Sequence, residues 1–189
     1  MPVKKIKRSY RKAKYILYRE TLIDTREHII TFLGAFLGIG LIGFINSKYL
    51  VANENLFLIG SFGASSVLIY GVVNSPLAQP RNLIGGHLIS AVIGVIFHKI
   101  FPQEVWLGGA LAVALSIVAM QITKTLHPPG GATALIANMG TPRIESLGFW
   151  YVLSPVLTGV LILLAVALVV NNASKHRNYP ARPLFKRRY

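Results

Sequence analysis

Residues 126–138 read LHPPGGATALIAN, and this stretch decides the architecture. It is apolar from Ala132 onward but opens with two prolines and two glycines. At about 1.5 Å per residue, a helix of about 12 residues over 127–139 covers only some 18 Å, well short of a hydrocarbon core about 30 Å thick. The segment is therefore a half-helix joined to extended chain, or a re-entrant loop. Lipid cannot satisfy non-helical backbone, so this backbone must be buried in protein or line a wet cavity. His127 precedes a proline and is pushed into an extended conformation. Pro129 suits a first helical turn, where its missing N–H costs nothing. Gly130 and Gly131 allow close approach, and the amides near Gly131, Ala132 and Thr133 would point out of a helix start that favours anions.

The rest of the chain places this stretch in a membrane. It has 189 residues, 53% hydrophobic and 14% charged, where soluble domains carry about 25% charged residues. That composition excludes a disordered chain and counts against a soluble enzyme. Cysteine is absent, so there is no disulfide framework, thiolate metal site or cysteine nucleophile. The net charge of +14 invites a nucleic-acid partner, but its placement does not. Nine Lys or Arg fall in residues 1–27 and six in 172–189, while His28 to Asn171 hold only Lys48, Glu54, Arg81, Lys99, Glu104, Lys124, Arg143 and Glu145. Cations flanking an apolar block mark a multi-pass protein with both termini cytoplasmic, in the cell (inner) membrane, and no nucleic-acid partner. Residues 3–18 space Val3, Ile6, Tyr10, Ala13 and Leu17 either as an amphipathic basic helix suited to an anionic leaflet or as a disordered basic tail that sets topology. Residues 173–189 form a basic tail.

Four stretches are long enough to span a bilayer: about 29–50, 83–101, 105–123 and 149–171. Two more are apolar but interrupted, 127–139 and 56–73, the latter broken by Gly60, Gly63 and Ser65-Ser66. An internal repeat links them. GASSVLI at 63–69 lies over GATALIA at 131–137, LGAFLGIGL at 33–41 over LGGALAVAL at 107–115, and SAVIGV at 90–95 over SPVLTGV at 154–160 with one insertion. The fold class expected is an all-α membrane protein of two repeats, about 29–101 and 105–171. Each reads helix, broken segment, helix, giving about six membrane segments with at least four full spans. Three crossings per repeat would invert the second half, so that the two broken helices would start facing each other near the midplane.

That arrangement yields a candidate anion site: Ser61, Gly63, Ser65, His127, Gly130, Gly131 and Thr133, with Ser61 as the expected N-cap. Phe62, beside Phe57, narrows the path. Arg81 attracts anions at the mouth, and His87 lines the route or bonds a neighbouring helix. Asn82 is the expected N-cap of the helix after the PLAQPRN loop. No Asp lies between His28 and Asn171, and the three Glu residues there fall in expected loops. Paired carboxylates for acid–base catalysis and a carboxylate proton relay are therefore not expected in the interior. No phosphate-binding loop or histidine-rich metal cluster stands out. The protein is not expected to be an enzyme, or to need a cofactor or metal.

GSFGASSVLIY at 60–70, PLAQPRNLIGGHLISA at 76–91 and TLHPPGGATAL at 125–135 resemble the HPP family of integral membrane proteins, named for the motif at 127–129. The resemblance covers about residues 28–172. Asn171-Asn172 and Tyr179-Pro180 are also family-like, while Arg182-Pro183 depart from its pattern. The resemblance implies a four-span protein and transport of nitrite, as assigned to members in cyanobacteria and plastids. The reading is a transporter or channel for a small inorganic anion, with nitrite and the lipid bilayer as partners and a homo-oligomer allowed. The alternatives are another small solute or a membrane accessory subunit.

Overall fold

The computed structural model describes residues 25–49 and 59–181. The amphipathic helix expected over 3–18, Phe57 and the end of the basic tail lie outside the described residues. Seven α-helices make up the described chain, with no strand among the described residues. They are α1 (Thr25–Tyr49), α2 (Gly60–Ser66), α3 (Pro80–Ile100), α4 (Val105–Ile122), α5 (Pro129–Met139), α6 (Pro142–Leu147) and α7 (Thr158–Asn172). Wider π-type turns extend α2 through Val67–Gly71 and precede α7 at Val152–Leu157.

Among the described residues, four helices are long and apolar enough to cross a membrane: Thr25–Lys48, Pro80–Ile100, Val105–Ile122 and Val152–Asn172. Their outer faces carry Phe32, Phe36, Trp106, Ile122 and Val169, all exposed. In water such faces would be an aggregation hazard, and in a bilayer they meet lipid tails. The expected four stretches are thus matched within a few residues.

Two starts differ from expectation. Helix α3 begins at Pro80 with Gln79 at its N-cap, because Pro80 supplies the fixed φ of a first turn. Asn82 sits inside the helix, and its amide donates to the Leu126 carbonyl at 2.8 Å. Ser61 is likewise inside α2, whose N-cap is Ile59 without a side-chain cap bond. Helix α6 was not foreseen. It starts at Pro142 and stops at Gly148, whose φ of 51° lies in the left-handed region that glycine adopts without a Cβ penalty.

The helices gather in two groups. Helices α3, α4 and α5 pack against one another, and α1 packs with α7 and with α2 and its π turn. Glycine makes both groups tight, as small residues do where lipid gives no hydrophobic drive. A Cβ at Gly34 would stand 2.6 Å from the Tyr70 ring, and one at Gly108 would stand 2.8 Å from the Asn138 amide nitrogen.

The two short helices run antiparallel. Ile59 and Gly60, at the start of α2, share a groove of about 430 Å³ with Leu135, Ile136, Met139 and Gly140 at the end of α5. Ser65, further along α2, bonds His127 just before α5 begins. The starts are therefore separated by about the 16 Å length of an 11-residue helix. They do not face each other across a midplane point, which overturns that expectation.

The ends of α1 and α7 meet. Arg177, after α7, ion-pairs with Glu27 in α1 and donates to the Glu27 carbonyl at 2.8 Å and Thr31 Oγ1 at 2.7 Å. It also donates to the Tyr70 carbonyl at 2.9 Å, and Asn171 donates to the Ile69 carbonyl at 2.9 Å. These carbonyls sit in the turn that ends α2, so the bonds satisfy groups that lipid could not. Tyr179 folds back beneath them. Its buried phenol donates to the Ala78 carbonyl at 2.8 Å, and burial raises its pKa so that it keeps this proton.

Candidate functional site

Where the two helix groups meet, five polar groups form one buried chain. His87 comes from the middle of α3, Ser65 from α2, Thr133 from α5, His127 from the extended entry to α5, and Leu77 from the loop before α3. Ser65, His87, His127 and Thr133 are buried. Ser65 Oγ lies 2.7 Å from His87 Nε2 and 2.9 Å from His127 Nε2. His87 Nδ1 lies 2.7 Å from Thr133 Oγ1, and His127 Nδ1 lies 2.9 Å from the Leu77 carbonyl oxygen.

One carbonyl fixes every proton when both rings are neutral. A carbonyl only accepts, so His127 Nδ1 carries hydrogen and its Nε2 is bare. The Ser65 hydroxyl then donates to His127 Nε2, and its oxygen accepts from His87 Nε2–H. That leaves His87 Nδ1 bare, and Thr133 donates to it. The chain runs Thr133, His87, Ser65, His127, Leu77 with each donor matched to an acceptor. Two spare acceptors lie beside it: the Ser61 carbonyl 3.0 Å from Ser65 Oγ and the Pro129 carbonyl 3.3 Å from Thr133 Oγ1.

The packing around the chain is close. A Cβ at Gly86 would collide with the His127 Cβ, and one at Gly130 would stand 2.8 Å from Ser90 Oγ and 2.9 Å from the Gly86 carbonyl. Phe62 is buried and meets the His87 ring edge-on at 5.7 Å. Its own ring lies where a side chain at Gly159 would be.

The expected site residues divide accordingly. Ser65, His127, Thr133 and His87 come together in one chain, with His87 at its centre rather than at its edge. Ser61 is buried one turn before Ser65, and its hydroxyl has no partner in this structure. Ser66 Oγ, also buried on α2, is likewise without a partner. Gly63 is on the exposed face of α2, away from this chain, and a Cβ there would meet nothing within 4 Å. Gly130 is buried in the packing, and Gly131 is half-buried with Val113 Cγ1 3.7 Å from its virtual Cβ. The first amides of α5 are occupied: Gly130 N–H donates to the His127 carbonyl at 2.8 Å and Gly131 N–H to the Pro128 carbonyl at 3.0 Å. The tight turn forced by His-Pro-Pro uses those donors locally, which removes them as anion ligands. Arg81 is exposed and donates to the Thr123 carbonyl at 2.7 Å, so it caps the end of α4.

Sequence reading missed three contributors. The Leu77 carbonyl carries no side-chain signal. Asn138 is buried near the end of α5 with neither side-chain atom bonded. Arg177 looked like one more cation in a basic tail.

With this geometry in view, the family model described as HPP, transmembrane region, matches residues 20–180. The chain belongs to the HPP family of membrane proteins. Two curated relatives from Dictyostelium discoideum, each described as a transmembrane protein, are similar to it. One is 46% identical over 165 residues, covering 86% of this chain and 58% of the relative. The other is 45% identical over 160 residues, covering 83% of this chain and 51% of the relative. The chain thus spans between about half and three-fifths of the length of these relatives. No solved structure matches it. In this HPP-family chain the named tripeptide does two things: it starts α5 at Pro129 and seats His127 in the buried chain.

Proposed function

We propose that this HPP-family chain moves a small inorganic anion across the membrane, with nitrite as the substrate. The single observation carrying the reading is the buried hydroxyl–imidazole chain at the meeting of two broken helices. Polar side chains inside a membrane bundle are costly and are kept where a solute passes. No carboxylate belongs to this chain, so it holds no fixed negative charge to repel an anion. The unpartnered hydroxyls of Ser61 and Ser66 stand where a passing ion would find a ligand. Hydroxyl and imidazole donors replace the backbone amides as ligands, with Ser61, Ser65, His127 and Thr133 at the site and His87 between them. Phe62 packs the route.

A path follows α2. The groove of about 430 Å³ opens at its start. A second groove, of about 330 Å³, opens at its other end between Glu27, Asn74, His176 and Arg177. The two open on opposite sides of the buried chain, as alternating or continuous access requires. We place the second groove and both termini in the cytoplasm of a cell whose plasma membrane holds the protein.

The two-repeat reading belongs to this proposal. Ser65 and Thr133 occupy equivalent places in the aligned halves, and both bond His87. Each also lies near the carbonyl four residues earlier, Ser61 and Pro129. Gly34 and Gly108 are equivalent too, and they pack on the equivalent residues Tyr70 and Asn138. This supports a pseudo-two-fold relation with His87 near its axis.

Flux into proteoliposomes tests the function. Nitrite, nitrate, chloride and glycerol are offered in turn, with protein-free liposomes as the blank. Nitrite is expected to enter fastest and glycerol at the blank rate. Glycerol entry equal to nitrite entry would replace the anion reading with a neutral-solute pathway.

A further inference from the structure

We infer that the chain Thr133–His87–Ser65–His127 is a proton relay that carries one proton with each anion. The inference rests on the transport reading above and adds the coupling ion to it.

The geometry allows two complete hydrogen-bond orders. In the neutral order, described above, every donor points toward the Leu77 carbonyl. A proton arriving at His87 Nδ1 makes that ring an imidazolium. His87 Nε2 then gives its proton to Ser65 Oγ, and Ser65 gives its own to His127 Nε2. His127 ends as the imidazolium, with Nδ1–H on Leu77 and Nε2–H on Ser65. His87 ends neutral with hydrogen on Nδ1, donating to Thr133. Ser65 now donates back to His87 Nε2, and Thr133 turns to the Pro129 carbonyl 3.3 Å away. One proton has moved from ring to ring, no bond but O–H and N–H has changed, and every group remains paired. The spare carbonyl beside Thr133 makes the second order possible.

The surroundings leave the countercharge to this proton. The residues facing the rings are Ser65 and Phe62 of α2, Leu77 of the loop, Gly86 of α3, and Thr133 of α5. Tyr151, before α7, donates to the Thr133 carbonyl at 3.4 Å and is a further titratable group beside the chain. None of the bonds to either imidazole involves a carboxylate, Lys or Arg. A bare anion in such a place is costly. Beside a protonated His127 it forms a neutral pair; once the site opens to the other side, the anion leaves and the proton follows by the same chain in reverse.

Two measurements test this. In the first, wild-type proteoliposomes hold a pH-sensitive dye, the membrane potential is clamped to zero, and sodium nitrite is added. The lumen is expected to acidify by one proton per nitrite, after subtraction of protein-free leakage. A nitrite flux driven by membrane potential without proton entry would overturn the relay while leaving the transport reading intact. Absence of any nitrite flux would overturn both. Ser65→Ala is expected to lose about tenfold in proton-driven uptake, a 1.4 kcal/mol effect, and Ser65→Thr to retain it. The second measurement needs no substrate. Nitrogen-15 NMR of histidine-labelled protein in bilayers is expected to show His87 switching from the Nε2–H to the Nδ1–H tautomer in the same step in which His127 becomes doubly protonated. A fixed His87 tautomer across that step would overturn the relay whether or not nitrite is the substrate.

Discussion

At the scale of residues, Gly130 and Gly131 separate two meanings of the same dipeptide. Gly130 has no room for a methyl group between Ser90 Oγ and the Gly86 carbonyl, whereas Gly131 has only Val113 at ordinary contact distance. Gly130→Ala is expected to lose about 1–3 kcal/mol from overpacking, and Gly131→Ala to stay within about 0.5 kcal/mol of wild type. Unfolding in detergent micelles measures both. Equal losses would mean that the close approach to α3 is not what holds α5. Sequence alone placed His127, Ser65 and Thr133 in one candidate site because the repeat brought their motifs into register. It ranked His87 lower, since a histidine directly after a Gly-Gly pair carries no sign of what its two nitrogens meet. Those partners lie 22 and 46 residues away along the chain, and only packing brings them within reach.

Among the elements, the clamp at the end of α2 is the most testable. Arg177 reaches Glu27, Thr31, Tyr70 and Asn171 through one planar guanidinium. Arg177→Ala leaves Glu27 without its ion-pair partner and the Tyr70 carbonyl with fewer donors. A loss of about 1–3 kcal/mol is expected, the cost of leaving partly buried acceptors without their donor. Arg177→Lys is expected to restore little, because an ammonium cannot match that fork. Thermal unfolding in micelles checks both, and an unchanged midpoint for Arg177→Ala would show that α7 and α1 hold the turn without it. The four long helices were legible from length and hydropathy alone, and α5 from its prolines. Helix α6 was not, because PRIESL is six residues with mixed polarity and no periodicity to read. The antiparallel offset of α2 and α5 was not either: the repeat fixes their order, while the depth at which each begins depends on the loops that enter it.

For the whole molecule, the meeting of Glu27 with Arg177 puts the start of α1 and the end of α7 on one side, and Lys99, at the far end of α3, on the other. Single cysteines at Lys175 and Lys99 in this cysteine-free chain report the sides through a membrane-impermeant thiol reagent. Label is expected at Lys99 and not at Lys175 in intact cells, and label at Lys175 would reverse the orientation. The central claim is that the ion passes the imidazole pair buried between the two helix groups. Nitrite uptake into proteoliposomes by His87→Ala, set against Arg81→Ala at equal reconstituted amounts, tests it most directly. His87→Ala is expected to fall about tenfold or more, because it removes the ring joining Ser65 to Thr133. Arg81→Ala, exposed at the end of α4, is expected to stay within about twofold. Wild-type uptake by a folded His87→Ala protein would contradict the claim and place the path elsewhere.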